Sequence, residues 1–325
     1  MSDNIRIGVA SRSFSQHPVL KAELLARYSN IRFNDLGKSL SGADLVNFLK
    51  GCDRAITGLE EIRADVLEQL PGLRLISKYG VGLDMIDLRA LEERRVKLGW
   101  MPGVNRRSVA ELAVGFMIML SHRVPEAHCG LLKGKWGQLR GRQLSDLTVG
   151  IVGCGHVGKE VALLLEKFGC RLLAFDIVDY SDFYSLYGVT PVSLDDLLRR
   201  SDIVTIHLPF DSSTRNLLSA SKLSLMKKGA LLVNAARGGL IDETALSSML
   251  ETGHLAGAAL DVFSEEPPGV CSLFSSGTFL GSCHMGGSTE QAVLTMGRAA
   301  IEGLETALLP SELKAKYPHN FPRDF

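Results

Sequence analysis

The stretch TVGIVGCGHVGK, residues 148–159, constrains the fold more than any other part of the chain. Thr148–Val152 reads as a buried strand running into Gly153-Cys154-Gly155-His156-Val157-Gly158, and Lys159–Phe168 reads as the helix that follows. The three glycines have separate tasks in such a turn. Gly153 permits the tight exit from the strand, Gly155 lets a pyrophosphate approach the backbone, and Gly158 lets the helix pack close to the strand. An anion placed there meets the free N–H groups and the positive dipole end of the helix. The next strand, Arg171–Phe175, leads into Asp176. That is near the roughly 20-residue spacing at which a carboxylate accepts hydrogen bonds from an adenosine ribose and repels a 2′-phosphate. A GxGxxG run alone is a weak signal. The strand before it, the helix after it and the acid at the tip of the next strand make it a dinucleotide site, and one that favours NAD over NADP.

A chain of 325 residues is long for a single core and predicts two domains. In the N-terminal part, strands at Ile5–Ala10, Ile31–Phe33, Ala55–Thr57, Leu73–Ser77 and Val96–Trp100 alternate with helical patterns at 18–28, 42–49, 62–70 and 87–95. This order predicts a parallel sheet covered on both faces. The helix Ser108–Ser121 leads away from it. A second α/β region begins near Thr148, with strands at Thr148–Val152, Arg171–Phe175, Ile203–His207, Ala230–Asn234 and Gly257–Val262. Its helices include Lys159–Phe168, Ser193–Arg200 and Glu243–Glu251, and a last helix, Glu290–Leu308, returns toward the first domain. The expected fold is α/β, with two Rossmann-like, doubly wound parallel-sheet domains, and no further domain is expected after Leu309.

Charge and cysteine usage exclude several function classes. Lys plus Arg and Asp plus Glu both number 36, so no net field favours nucleic acid or an anionic membrane. The most apolar run, Leu112–Leu120, is too short to span a bilayer. The N-terminus, MSDNIRIGVAS, lacks the pattern of a signal peptide. Cys52, Cys129, Cys154, Cys170, Cys271 and Cys283 are scattered without a CxxC pair, and read as reduced thiols of a cytoplasmic protein. His122, His128 and His254 lack metal-ligand spacing, so no metal is expected. Trp136 with Lys133 and Lys135 lies in the charged, glycine-containing segment 123–143, which reads as an exposed arm over the surface or into a partner subunit.

Three polar residues of the second half carry the chemistry. Arg237 follows the apolar strand LLVN, Glu266 precedes Pro267-Pro268 just past another strand, and His284 stands in CHMGGST. Residues just beyond the strand ends of an open parallel sheet line the crevice where ligands bind. A guanidinium binds the carboxylate of a 2-oxo acid with paired hydrogen bonds. A histidine supplies the proton that the carbonyl oxygen needs as hydride arrives. A neighbouring carboxylate holds the ring and stabilises its charged form. Arg237 is therefore read as anchor and polariser, His284 as acid–base, and Glu266 as its partner. His207, at a strand end facing the cofactor crevice, either touches NAD or has a structural role.

With these pieces in order the chain resembles the D-isomer-specific 2-hydroxyacid dehydrogenases, and most of all their phosphoglycerate dehydrogenase-like branch. The resemblance runs through KYGVGLDMIDL (78–88), NRRSVAEL (105–112), the glycine motif, SDIVTIHLP (201–209), NAARGGLID (234–242), LDVFSEEPP (260–268) and HMGGST (284–289). It implies that the family's catalytic Arg, Glu and His fall on Arg237, Glu266 and His284. It also implies that Val81 and Gly82 offer N–H groups to the substrate carboxylate with Asn105 nearby, and that Asp261 lies near the nicotinamide carboxamide. His156 and Val157 would lie against the pyrophosphate, with Ala235 and Ala236 beside the nicotinamide ribose. The implied architecture is a discontinuous, flavodoxin-like substrate domain (1–103 and 285–325), an inserted NAD-binding domain (104–284) and a cleft between them. That cleft would close about hinges near Gly103–Asn105 and His284–Gly287, with Gly287 on the cofactor side. The family commonly forms homodimers through the cofactor domain.

The chain departs from the family pattern in two places. Ser282-Cys283 stands where Thr-Pro is common, and Gly58-Leu59-Glu60 stands where an Arg is common. The second change weakens a phosphorylated substrate, because a phosphate wants nearby Arg or Lys; Lys78, Arg106 and Arg107 either compensate or are surface charges. The expected activity is NAD-dependent interconversion of a small 2-oxo acid and its D-2-hydroxy acid, either 3-phosphohydroxypyruvate or hydroxypyruvate and glyoxylate. Two alternatives stay open: an NAD-sensing binding protein like the family's corepressors, and a dehydrogenase of a phosphonate analogue.

Overall fold

A computed structural model describes residues 5–269, 272–322 and 325. Cys271 lies outside the described residues. The chain forms two compact units, 1–105 with 290–325, and 106–289. The boundaries read from the sequence were 103/104 and 284/285.

The first unit holds five strands: β1 (Ile7–Val9), β2 (Ile31–Phe33), β3 (Arg54–Thr57), β4 (Leu75–Lys78) and β5 (Lys97–Gly99). They pair in parallel in the order β2-β1-β3-β4-β5, the flavodoxin-like order. Both faces are apolar, as a covered parallel sheet requires. One face packs Ala55, Ile76 and Leu98 against Leu45, Leu49, Leu67 and Leu91 of the intervening helices. The other packs Val9, Ile56 and Leu75 against Leu20, Leu24, Ala300 and Leu304. The helix Glu290–Thr306 can lie this close because of one glycine contact: a Cβ on Gly99 would stand 2.3 Å from the Gly303 carbonyl oxygen. A helix from the far end of the sequence thereby packs onto the N-terminal sheet.

The second unit holds seven: β6 (Thr148–Val152), β7 (Arg171–Phe175), β8 (Val189–Pro191), β9 (Ile203–Ile206), β10 (Ala230–Asn234), β11 (Leu255–Leu260) and β12 (Phe279–Gly281). All pair in parallel, in the order β12-β11-β10-β9-β6-β7-β8. The order reverses between β6 and β9, the topological switch point at which such sheets bind ligands. β8 and β12 did not stand out in the sequence. Each is a three-residue edge strand, and Pro191 lacks the N–H that an inner strand would need. The segment 123–143, read as an arm, begins as a helix, Val124–Leu132, with Trp136 89% exposed beyond it. No helix among the described residues is long and apolar enough to cross a membrane.

Candidate active site

The glycine turn is built at the switch point as the residue types require. Gly153 has φ +93, and a Cβ there would meet the His207 carbonyl oxygen at 2.7 Å. At Gly158 a Cβ would stand 2.0 Å from the Gly153 oxygen. Gly155 caps the helix His156–Phe168, and a Cβ on it would meet nothing within 4 Å. Two glycines are thus demanded by packing, and the middle one faces open space where a phosphate can approach. His156 and Val157 form the first turn of the helix.

Asp176 is tied to this turn. Its Oδ2 accepts from the Cys154 N–H at 2.6 Å and its Oδ1 from the Val178 N–H at 2.9 Å. Beside it lies a cavity of about 270 Å³ lined by Asp176, Ile177, Val178, Tyr184, Pro191 and Val192. The open middle glycine, the helix N-terminus beside it and the oriented carboxylate fit the phosphate and adenosine ends of a dinucleotide. His207 follows β9 with Nε2 2.9 Å from Thr205 Oγ1, while its buried Nδ1 has no hydrogen-bond partner among the described residues. Desolvation pushes this ring down to about 3, so it stays neutral. That hydrogen bond is made to a residue two positions back, in β9.

The loops after β10, β11 and β12 leave one edge of the sheet together, because the ladder continues past the strands: Asp261 N–H donates to the Asn234 oxygen and Ser282 N–H to the Leu260 oxygen. In the first loop the Asn234 side chain accepts from Ala236 N–H and donates to the Arg237 carbonyl at 2.8 Å, turning the chain at Ala235-Ala236. The Arg237 guanidinium donates to the Ala236 carbonyl at 2.7 Å. A Cβ on Gly238 would lie 1.8 Å from the Phe263 oxygen, so the first loop is pressed onto the second.

Phe263 N–H then holds Glu266 Oε1 at 3.1 Å, and Glu266 Oε2 accepts from His284 Nδ1 at 2.6 Å. Among the described residues Nε2 of His284 has no partner, and the side chain is 45% exposed. The structure therefore brings Glu266 and His284 into direct contact and sets Arg237 on the loop packed beside them.

Asp261, expected near the nicotinamide, is 1% exposed and fastens the His284 loop. Its Oδ1 accepts from Met285 N–H and the Ser282 hydroxyl, its Oδ2 from Gly286 N–H, and its carbonyl from His284 N–H at 2.7 Å. The Ser108 hydroxyl donates to the Gly286 carbonyl, and Thr289 donates to Ser108. Gly287 lies in the turn so closed. The sequence reading missed Ser282, Ser108 and Thr289 as supports; their signal is a small hydroxyl beside each motif, which many surface loops share.

Among the expected substrate residues, Lys78 is 5% exposed and its ammonium bonds the Gly58 carbonyl. Gly58 N–H is held by the buried Glu60 at 2.6 Å. Val81 and Gly82 follow β4, partly exposed, and Asn105 ends the first unit. Arg106 and Arg107 both pair with Glu160, at 3.4 and 3.1 Å.

Residues 114–286 match the model of the D-isomer specific 2-hydroxyacid dehydrogenase family, NAD binding domain. The D-3-phosphoglycerate dehydrogenase of Methanocaldococcus jannaschii is 34% identical over 84% of this chain and 53% of its own length. The chain spans about half the length of the relatives of that name. The hydroxypyruvate reductase of Thermotoga maritima is 33% identical over 87% of this chain and 90% of its own. The structure of the pyruvate reductase of Chlamydomonas reinhardtii superimposes with a TM-score of 0.77 at 28% identity, covering 93% of this chain and 97% of that one. Half of the chain matched to one domain model, and a relative 33% identical over 87% of the chain, lead to one conclusion: the chain belongs to the D-isomer specific 2-hydroxyacid dehydrogenase family and carries its NAD-binding domain.

Proposed function

We propose that the protein is an NAD(H)-dependent dehydrogenase interconverting a small, unphosphorylated 2-oxo acid and its D-2-hydroxy acid. The observation that carries this reading is the 2.6 Å contact between His284 Nδ1 and Glu266 Oε2, which leaves Nε2 for the substrate oxygen. When bound, the nicotinamide supplies or accepts the hydride. Arg237 pairs with the substrate carboxylate and polarises the carbonyl. His284 delivers a proton from Nε2 to the carbonyl oxygen in reduction and takes it back in oxidation. Glu266, clamped by Phe263 N–H, keeps Nδ1 as the donor and so fixes the ring. The residues around the end of β3 support glyoxylate and hydroxypyruvate over 3-phosphohydroxypyruvate, because a phosphate needs a nearby Arg or Lys. At the end of β3 stands a buried carboxylate, Glu60, while Lys78 is engaged by Gly58 and Arg106 by Glu160. The relative named hydroxypyruvate reductase pairs with this chain over 90% of its own length. We further read the protein as a homodimer through its NAD-binding unit, supported by the exposed Leu131, Leu132 and Trp136.

The test is NADH consumption with glyoxylate, hydroxypyruvate, pyruvate and 3-phosphohydroxypyruvate. Glyoxylate or hydroxypyruvate should give the highest kcat/KM. Preference for the phosphorylated acid would overturn the substrate assignment, and NAD binding without turnover on any 2-oxo acid would leave the binding-protein alternative.

A further inference from the structure

Trp100 stands at the exit of β5, 8% exposed, and its Nε1–H donates to the Val81 carbonyl at 2.8 Å. The indole is held edge-on by Tyr317 and Phe321, with ring centroids 5.8 and 5.3 Å away. Both aromatics belong to the C-terminal segment, which Leu308 pins to β5 through reciprocal backbone hydrogen bonds with Leu98. Val81 and Gly82 follow Gly80, which has φ +130. Among the described residues neither the Val81 nor the Gly82 N–H donates to any group, and both residues are partly exposed. Adjacent unpaired amides of this kind make a concavity for an anion.

The Val81 carbonyl and the Gly82 N–H belong to one planar peptide and point in opposite directions. A donor on the oxygen therefore fixes where the N–H aims, and it polarises the amide toward stronger donation. We infer that Trp100 is a positioning residue for substrate: its indole N–H locks the Val81–Gly82 peptide so that the Gly82 N–H meets the carboxylate of the 2-oxo acid. This rests on the substrate reading above. It adds a residue that no dehydrogenase chemistry requires, supported by an aromatic pair from the far end of the chain.

The sequence has two tryptophans, so Trp136→Phe leaves Trp100 as the sole indole. Oxalate, a non-reacting dicarboxylate, titrated onto that full-length variant with NAD⁺ present should shift or quench the Trp100 emission saturably. In the otherwise unchanged chain, Trp100→Phe keeps an aromatic ring but removes the N–H. It should raise KM for the 2-oxo acid about tenfold, as expected for one hydrogen bond serving a charged group. The kcat and the KM for NADH should stay within about twofold, since neither the proton donor nor the cofactor turn is touched. Emission indifferent to oxalate, or a Trp100→Phe variant that changes kcat and both KM values together, would overturn the assignment. Should NADH turnover be absent with every 2-oxo acid, the dehydrogenase reading falls, while the oxalate response still decides the role of Trp100.

Discussion

His284 sits in the left-handed region of backbone space, at φ +50, where a side chain is held at a cost of roughly 1–3 kcal/mol unless its surroundings fix it. Asp261 does so, taking hydrogen bonds from the Ser282 side chain and from the backbone of His284, Met285 and Gly286. The ring is thus placed by its loop and oriented by Glu266. His284→Ala should lower kcat by about 10²–10⁴-fold, the range for a lost acid–base group, with NADH affinity retained. In Glu266→Gln the amide oxygen can still accept from Phe263 N–H, but its NH₂ then faces Nδ1 and forces that nitrogen to accept. The neutral ring then carries its proton on Nε2 and cannot take one from the hydroxy acid, while the ring that gives up its Nε2 proton in reduction loses the acceptor that holds Nδ1–H, so kcat should fall by about 10–100-fold in either direction. Turnover unchanged in either variant, measured by NADH absorbance, would remove the dyad from the reaction. His207 behaves differently. Buried and neutral, it has its pKa lowered from 6.5 to about 3 by desolvation. The unfolded chain takes up a proton below pH 6.5 that the folded chain refuses until about pH 3. Stability is therefore free of this penalty above pH 6.5 and declines below it, by about 1.4 kcal/mol per pH unit once the unfolded ring is charged. Urea unfolding at pH 7 and pH 5 should show the natural chain losing about 2 kcal/mol more than His207→Asn; equal losses would contradict a neutral buried ring.

The strand–turn–helix from β6 to Phe168 separates structural from functional glycines. A methyl group at Gly158 meets the Gly153 oxygen at 2.0 Å, so Gly158→Ala should displace the helix and lower Tm. Gly155 has φ −73 and open space around its missing Cβ, so Gly155→Ala should melt like the natural chain. Its methyl group would stand where a pyrophosphate approaches, and KM for NADH should rise about tenfold, equivalent to the roughly 1.4 kcal/mol of one impaired contact. A Gly155→Ala variant with unaltered NADH affinity would mean that the cofactor binds elsewhere. This element was legible because its strand is a continuous apolar run and its glycines are dictated by backbone geometry. The edge strands β8 and β12 were not, being short, half-exposed and stabilised by partners distant in sequence. Asp261 shows the other limit. The sequence shows an acid at a strand end, but whether its oxygens face a cofactor or a loop backbone depends on where residues 282–286 return.

At the scale of the whole chain, equal numbers of acidic and basic residues leave no long-range field, so assembly must be decided by apolar surface. Most of that surface is scattered, as on any globular protein. Among the described residues the segment after Arg123 stands out, with Leu131, Leu132 and Trp136 53%, 74% and 89% exposed within a few residues of one another in sequence. The sequence suggested an arm there from its charges and glycines, but could not show which apolar groups it leaves uncovered. That depends on how the helix Val124–Leu132 is rotated against its neighbours. A contiguous cluster of large apolar side chains on a monomer marks an interaction site, and a closed two-fold dimer covers it twice with one patch. Leu132→Glu combined with Trp136→Glu would bury two charges in such an interface without touching either sheet. Light scattering coupled to size exclusion should show the natural chain at twice the monomer mass and the double variant shifted to the monomer, with an unchanged far-UV circular dichroism spectrum. A natural chain that is already monomeric at micromolar concentration, or a double variant that remains dimeric, would assign this arm another partner.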